Sequence, residues 1–198
     1  MTVRSKLIAL FSPALIVIVL DQWTKWIIRT SPELHRYDII EGWLMFYYTQ
    51  NSGMALGIDI LDTTVVSLIS ITATLGILGY LLYNLKQSST VYLLLMGLVL
   101  GGAIGNIIDR LTMGYIEGYG GLLEGHVVDF IFFYLEIFDK TIFPYIFNVA
   151  DMAISVSVIT LLIFNRIFFP KESTESEELL DNETNSQEIE AVNKESNT

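Results

Sequence analysis

Two aspartates, Asp129 in the segment HVVDF and Asp151 in the segment FNVAD, lie at or near the ends of strongly apolar stretches. An ionised side chain at bilayer depth costs about 3 kcal/mol or more, so acids in such stretches usually face a cavity or a partner and serve a function. Two carboxylates at the same depth can share one proton and activate a water molecule. This pair is therefore the first candidate for chemistry in the chain.

The composition indicates an integral membrane protein. Hydrophobic residues make up 52% of the 198 residues and cysteine is absent, which leaves no disulfide framework and no thiolate metal site. The net charge of −11 is concentrated in residues 170–198, which carry nine acidic side chains and two lysines. That polar segment cannot bury enough apolar surface to fold. We therefore predict a four-helix membrane domain over residues 1–169 and a disordered, acidic cytoplasmic tail over residues 170–198.

Four apolar stretches are long enough to cross a hydrocarbon core of about 30 Å as helices. They cover approximately residues 7–28, 63–84, 90–108 and 145–168. The first continues through Asp21 without a small-residue cleavage site, which indicates a retained span and not a signal peptide. Basic residues are more concentrated in the short flanks on the side of the chain termini than in the two long connections on the other side. This density favours both termini in the cytoplasm.

The two long connections, about 29–62 and 109–144, then lie on the outer face. The first contains an aromatic and β-branched run before an Asn-Ser-Gly turn, which is typical of one or two short strands. The second contains apolar runs separated by glycines, and we expect these runs to lie on or dip into the membrane interface. The expected fold is an all-α membrane protein with four transmembrane helices and a small, partly β extracytoplasmic platform.

The polar residues of the predicted spans gather at the outer ends of the helices. Asp21 and Lys25 are four residues apart, so they share a helix face and can pair. One such residue often serves only to bond neighbouring helices, but this many at one depth favours a functional site. The residues at this rim are Asp21, Lys25, Asn106, Asp109, Arg110, Asn148 and Asp151, with Asp129 in the adjoining outer loop.

Two other features have structural interpretations. Gly101, Gly102 and Gly105 are spaced as in closely packed membrane helices, and the Gly-Lys-Ser or Gly-Lys-Thr ending of a phosphate-binding loop does not follow them. His35 and His126 are isolated in the sequence. We therefore expect no metal site, no cofactor and no nucleic acid partner.

Five ordered motifs make the chain resemble the lipoprotein signal peptidases, also called signal peptidase II. The motifs are DQWTK at 21–25, NSGMALG at 51–57, GNIIDR at 105–110, VVDF at 127–130 and FNVAD at 147–151. The resemblance extends from the first span to the fourth and implies an aspartic endopeptidase of the bacterial inner membrane, with its active site near the outer face. Its partners would be membrane lipid and prolipoprotein substrates, cleaved on the amino side of a diacylglyceryl-modified cysteine.

The resemblance also implies roles for individual residues. Asp129 and Asp151 would be the catalytic pair. The residues that would support them or line the substrate site are Asp21, Lys25, Asn51, Gly53, Asn106, Asp109, Arg110 and Asn148. A structural ion pair of Arg110 with Asp109 is an equally good interpretation of those two residues. The segment between Arg110 and Asp129 is longer and richer in glycine than the connection expected in this family.

Two other classes of function compete with the peptidase. In a small proton-coupled membrane transporter, Asp21 and Asp151 would relay protons. Transporter sites tend to lie near the bilayer midplane and often arise from internal repeats, whereas these acids cluster at one rim and the helix pairs show no repeat. A non-catalytic scaffold would not need paired acids at one depth.

Overall fold

The computed structural model of the chain describes residues 2–53, 62–134, 136–137, 140–141 and 145–164. In chain order its elements are α1 (Val3–Thr30), a 3-10 turn (Pro32–Leu34), β1 (Arg36–Ile40), β2 (Leu44–Asn51), α2 (Thr63–Tyr83), α3 (Thr90–Glu117), β3 (Val127–Phe133), β4 (Glu136–Ile137), β5 (Lys140–Thr141), β6 (Ile146–Phe147) and α4 (Val149–Ile163). Residues 1–161 form one compact unit, and only residues 162–164 of a second unit are described. The predicted acidic tail lies outside the described residues.

Three of these helices, α1, α2 and α3, are long and apolar enough to cross a membrane. The fourth, α4, is apolar but has 15 residues, and the end of the predicted fourth span at residue 168 lies outside the described residues. The protein is therefore mostly helical, with several helices of membrane length and a small antiparallel sheet. The fourth crossing stays a prediction.

The helix boundaries differ from the predicted spans at two places that bear on the site. The third helix was expected to end near residue 108, but α3 continues to Glu117 and ends where Gly118 takes the left-handed conformation with φ of 73°. No proline interrupts the intervening residues, so nothing stops the helix earlier. The fourth helix begins at Val149, because the residues before it, Ile146–Phe147, pair as strand β6.

The sheet has the strand order β1-β2-β3-β6 with antiparallel neighbours, and β4 pairs with β5 in a separate two-stranded ribbon. The strands predicted before the Asn-Ser-Gly turn are confirmed as β1 and β2. No strand was expected in HVVDFIFF, which was predicted to lie on or near the membrane interface, and that placement stays a prediction. The β-branched and aromatic residues of this segment form β3 inside the sheet, so Asp129 lies on a strand opposite Thr49 and not in a loop.

Glycines let α3 pack closely against two other helices. A Cβ atom on Gly101 would lie 2.6 Å from the carbonyl oxygen of Ala14 in α1, and one on Gly102 would lie 2.5 Å from that of Ala150 in α4. Helix backbones can approach this closely only where the side chain is a hydrogen atom. The structural interpretation of these glycines is confirmed, and α3 is the helix against which the candidate site is assembled.

Candidate active site

The residues singled out in the sequence meet at one end of the helices. They come from five elements that converge there: the C-terminal halves of α1 and α3, the N-terminus of α4, the end of β2 and the middle of β3. The contacts below connect Asp21, Lys25, Asn51, Gly53, Asn106, Asp109, Arg110, Asp129, Asn148 and Asp151. Depth in the membrane had grouped all of these residues except Asn51 and Gly53, which were expected from the family resemblance. Apart from the Asp21–Lys25 pair, and an Arg110–Asp109 pair as one alternative, the sequence did not assign their partners.

Asp151 is fixed by the way α4 begins. The side-chain oxygen of Asn148 accepts a hydrogen bond from the backbone N–H of Asp151 at 3.0 Å, and the carboxylate of Asp151 accepts one from the backbone N–H of Asn148 at 3.3 Å. This reciprocal arrangement is a capping box, in which two residues three apart satisfy each other's free N–H groups at a helix start. A carboxylate in the first turn is also stabilised by the helix dipole.

Asp129 is held by two amide side chains. Asn148 Nδ2 donates to Asp129 Oδ1 at 2.7 Å, and Asn51 Nδ2 donates to Asp129 Oδ2 at 3.1 Å. Asn148 therefore contacts both candidate acids, one through its side chain and the other through its backbone and its side-chain oxygen. Only 3% of Asp129 is exposed. Burial, and then the nearby charge of Asp151, raises the pKa of Asp129 from its ordinary 3.8 to about 7 in spite of the two amide bonds.

The Asn-Ser-Gly turn at the end of β2 sets the orientation of the Asn51 amide. Asn51 Oδ1 accepts a hydrogen bond from the N–H of Gly53 at 2.9 Å, which leaves Nδ2 directed to Asp129. Gly53 has φ of +121°, and a Cβ atom there would lie 3.0 Å from Cγ2 of Val66. The backbone conformation favours glycine, and any side chain at this position would also require Val66 to shift. The role of Gly53 is thus to shape the turn that presents Asn51.

A second amide, Asn106 on α3, holds Asp151. Its Nδ2 donates to Asp151 Oδ1 at 2.8 Å, while its Oδ1 accepts from Lys25 Nζ at 2.9 Å. Because the ammonium group can only donate, it fixes which end of the Asn106 amide faces the acid.

Lys25 is also the centre of a buried ionic cluster. Its Nζ lies 2.8 Å from Asp21 Oδ2 and 2.8 Å from Asp109 Oδ2. All three residues are almost fully buried, so the pairs need good geometry and further hydrogen bonds to offset the loss of hydration. The expected Asp21–Lys25 pair is confirmed. Asp109 pairs with Lys25 and not with Arg110, whose guanidinium Nη1 instead donates to the carbonyl of Ser52 at 3.4 Å.

The two carboxylates of this cluster each hold the backbone beside a candidate acid. Asp21 Oδ1 accepts from the N–H of Ala150 at 3.0 Å, and Asp109 Oδ2 accepts from the N–H of Val128 at 3.0 Å. Ala150 directly precedes Asp151, and Val128 directly precedes the other acid. One buried cluster thus fixes the positions of α4 and β3 relative to α1 and α3.

Sequence reasoning missed Gln22, which lies in the DQWTK motif but had been assigned no role. Its Nε2 lies 2.9 Å from Asp109 Oδ1, 3.0 Å from the carbonyl of Gly105 and 3.3 Å from Asp21 Oδ2. It therefore joins the two carboxylates that also bind Lys25. The available signal was its position next to Asp21, since a polar neighbour in an apolar span needs its own partner.

The arrangement suits acid–base chemistry with water. Two carboxylates are held near each other by neutral amides, and one of them keeps its proton to about pH 7. That combination provides a general base and a general acid in one site. Among the described residues, no group of three or more His, Asp or Glu side chains is arranged to hold a metal ion.

Two carboxylates held by neutral amides, one on β3 and one at the start of α4, gather at one end of a set of apolar helices, and this arrangement favours a membrane enzyme. The comparisons with known proteins agree and identify its family. A family profile described as Signal peptidase (SPase) II matches residues 13–168, and the chain belongs to this family. The protein is accordingly a membrane protease, and the transporter and scaffold interpretations are not supported.

Individual relatives share most of their length with this chain. The lipoprotein signal peptidase of Pelodictyon phaeoclathratiforme is 36% identical over 170 residues, which are 82% of this chain and 93% of the relative. That of Shouchella clausii is 40% identical over 146 residues, 73% of this chain and 84% of the relative. A solved bacterial membrane enzyme, determined by the in meso method at 2.3 Å, matches with a TM-score of 0.60 and 28% identity over 82% of this chain and 91% of its own.

Proposed function

We propose that the protein removes signal peptides from prolipoproteins by cleaving on the amino side of a cysteine that carries a diacylglyceryl group, with Asp129 and Asp151 as the catalytic pair. The names of the relatives support the class of substrate. The observation that carries the chemistry is the shared contact of both aspartates with Asn148, which places two carboxyl groups around one amide.

The surroundings of the two acids assign their roles. Asp151 accepts two N–H groups at the N-terminus of α4, where the helix dipole is positive, so we assign it the role of base. Asp129 is buried on β3 and keeps its proton to about pH 7, so it is the acid.

The reaction then proceeds by attack of a water molecule on the scissile carbonyl. The water oxygen bonds to the carbonyl carbon as Asp151 takes a proton from the water. Meanwhile Asp129 donates a hydrogen bond to the developing oxyanion. When the C–N bond breaks, the proton taken up by Asp151 passes to the leaving amine of the cysteine. The pair returns to its starting state of one proton and one charge.

Arg110 is well placed to hold the substrate. Its guanidinium has five N–H donors in a planar fork, and it bonds the carbonyl of Ser52 in the turn that also presents Asn51. Its charge acts on both Asp129 and Asp151. A peptide or ester carbonyl of the substrate bound by the remaining donors would lie beside the acids.

The site belongs at the outer membrane interface of the bacterial inner membrane, with four crossings and both termini in the cytoplasm. Trp23 and Trp26, each 56% exposed, lie on α1 beside Lys25 and suit the interfacial level. At the other end of the helices, Lys6 donates to the carbonyl of Ser88 at 3.0 Å, so the N-terminus and the α2–α3 turn share one face. Basic residues concentrate in these short flanks, which supports their cytoplasmic placement.

The substrate can be tested with one prolipoprotein in two forms, with and without the diacylglyceryl group on its cysteine. The acyl chains would keep the cysteine at the membrane interface, and this binding energy would hold the scissile carbonyl near the acids. We expect the purified protein in detergent to release the diacylated product with the modified cysteine at its N-terminus, as read by mass spectrometry. The unmodified form should be cleaved at least about tenfold more slowly.

Comparable cleavage of both forms at equal concentration would show that the lipid is not recognised. Absence of cleavage of either form, by protein that remains folded, would contradict the proposed function as a whole.

A further inference from the structure

The loop from residue 118 to residue 126, between α3 and β3, is tied to two helices. Ser67 Oγ on α2 lies 2.8 Å from the carbonyl oxygen of Leu123, and the N–H of Gly125 donates to the carbonyl of Arg110 on α3 at 3.0 Å. Ser67 is fully buried. Leu123 has φ of +72°, and no other described residue apart from glycines has positive φ. An L-residue rarely adopts that conformation without a tether, and the bond to Ser67 supplies one.

The same turn of α2 also touches the other side of the site. Val66, next to Ser67, packs against Gly53, where a Cβ atom would lie 3.0 Å from Cγ2 of Val66. Gly53 closes the turn that directs the amide of Asn51 to Asp129. On the loop side, the chain runs from Leu123 directly into β3 and reaches Asp129 six residues later. A single turn of α2 therefore contacts both the loop that precedes β3 and the turn that presents Asn51 to Asp129.

From these contacts we propose that Ser67 is a positioning residue for Asp129. Its hydroxyl holds α2 against the loop before β3, and the held helix keeps Val66 against the turn that presents Asn51. The inference rests on the proposed function only where the rate of cleavage is the quantity measured.

Other hydroxyls on α2 provide matched controls. Ser70 Oγ donates to the carbonyl of Val66 at 2.8 Å, and Thr74 Oγ1 donates to that of Ser70 at 2.7 Å. These bonds lie within the helix itself and do not reach the loop. Ser67 Oγ also lies 2.8 Å from the carbonyl of Thr63, so the contact with Leu123 is what distinguishes Ser67 from its neighbours.

The test compares Ser67→Ala, Ser67→Thr and Ser70→Ala in the full-length protein with the diacylated substrate. We expect Ser67→Ala to lower kcat about tenfold with KM changed by less than about twofold, because a displaced acid slows the chemical step more than binding. Ser67→Thr keeps the hydroxyl and should recover most of kcat, and Ser70→Ala should match the wild type. If Ser67→Ala does not fold, Ser67→Cys, a weaker donor of similar size, should show the same direction.

Hydrogen–deuterium exchange gives a second readout that does not depend on cleavage. In Ser67→Ala, backbone exchange should become faster in residues 49–53 and 126–129 than in the wild type or Ser70→Ala, because both segments lose their hold on α2. The inference would be overturned if kcat were unchanged in Ser67→Ala. It would also be overturned if kcat fell equally in Ser70→Ala, or if Ser67→Thr did not recover kcat. If the wild type cleaves nothing, the proposed function fails, and unchanged exchange in Ser67→Ala would then overturn the positioning role separately.

Discussion

At the scale of single residues, neutral amides explain how the buried Asp129 and the partly buried Asp151 can lie near each other. Asn148 serves both, since it donates to Asp129 and forms a capping box with Asp151. Asn51 and Asn106 supply one further bond to each acid. A cation in direct contact with either acid would favour the loss of its proton. The cationic Lys25 is instead paired with Asp21 and Asp109, so the candidate pair can keep one proton.

The first prediction at this scale concerns pH. Burial and the charge of Asp151 raise the pKa of Asp129 to about 7, and the proposed mechanism needs this group protonated. Because the pKa is raised, the active form is present below about pH 7 and is lost as the pH rises through that value. A profile of kcat/KM against pH for the purified protein should therefore fall on its alkaline side with a midpoint near 7. A profile that stays flat well above that value would exclude Asp129 as the acid.

At the scale of elements, the sequence predicted what periodicity and caps could show. The aromatic and β-branched run before the Asn-Ser-Gly turn gave β1 and β2, and the apolar stretches gave the helices. The strand β3 was missed because HVVDFIFF is apolar on both faces, and a short apolar run without alternation does not distinguish a strand from an interfacial segment. Only its pairing between β2 and β6 shows where it belongs.

Close packing of α3 can be tested by adding one methyl group. In Gly101→Ala the new Cβ would lie 2.6 Å from the carbonyl oxygen of Ala14, so α1 and α3 must separate. We expect the free energy of unfolding to fall by about 2 kcal/mol, measured by thermal or denaturant unfolding in detergent.

The matched control is Gly76→Ala on α2, where nothing lies within 4 Å of the new Cβ. Alanine favours a helix over glycine by about 1 kcal/mol, so this variant should be as stable as the wild type or more stable. Equal stability of the Gly101→Ala and Gly76→Ala proteins would show that α3 does not depend on this contact.

At the scale of the whole molecule, depth in the membrane was enough to group the polar residues but not to connect them. The sequence placed Asp21, Asp109 and Lys25 at one level, yet the contacts of the two carboxylates with the backbone N–H groups of Ala150 and Val128 depend on how α4 and β3 dock. Side-chain periodicity carries no information about such long-range backbone contacts. The catalytic role of the acids stays a prediction for experiment.

The orientation of the molecule can be measured with introduced cysteines, because the chain has none of its own. Glu124 in the α3–β3 loop and Lys86 in the α2–α3 turn are both exposed and lie in connections at opposite ends of α3. We expect a cysteine at position 124 to react with an impermeant reagent from outside, and one at position 86 to react only after the inner face is opened. The reverse pattern would invert the proposed topology.

The central claim is that Asp129 and Asp151 together cleave the peptide bond, and it is tested most directly by replacing each acid with its amide. Asp129→Asn and Asp151→Asn keep the shape of the side chain but cannot share a proton. We expect each purified variant to remain folded and inserted and to cleave the diacylated prolipoprotein at no more than the background rate. Asp109→Asn, a matched change in the supporting cluster, should retain measurable turnover. Near-normal turnover by either Asp129→Asn or Asp151→Asn would contradict the account.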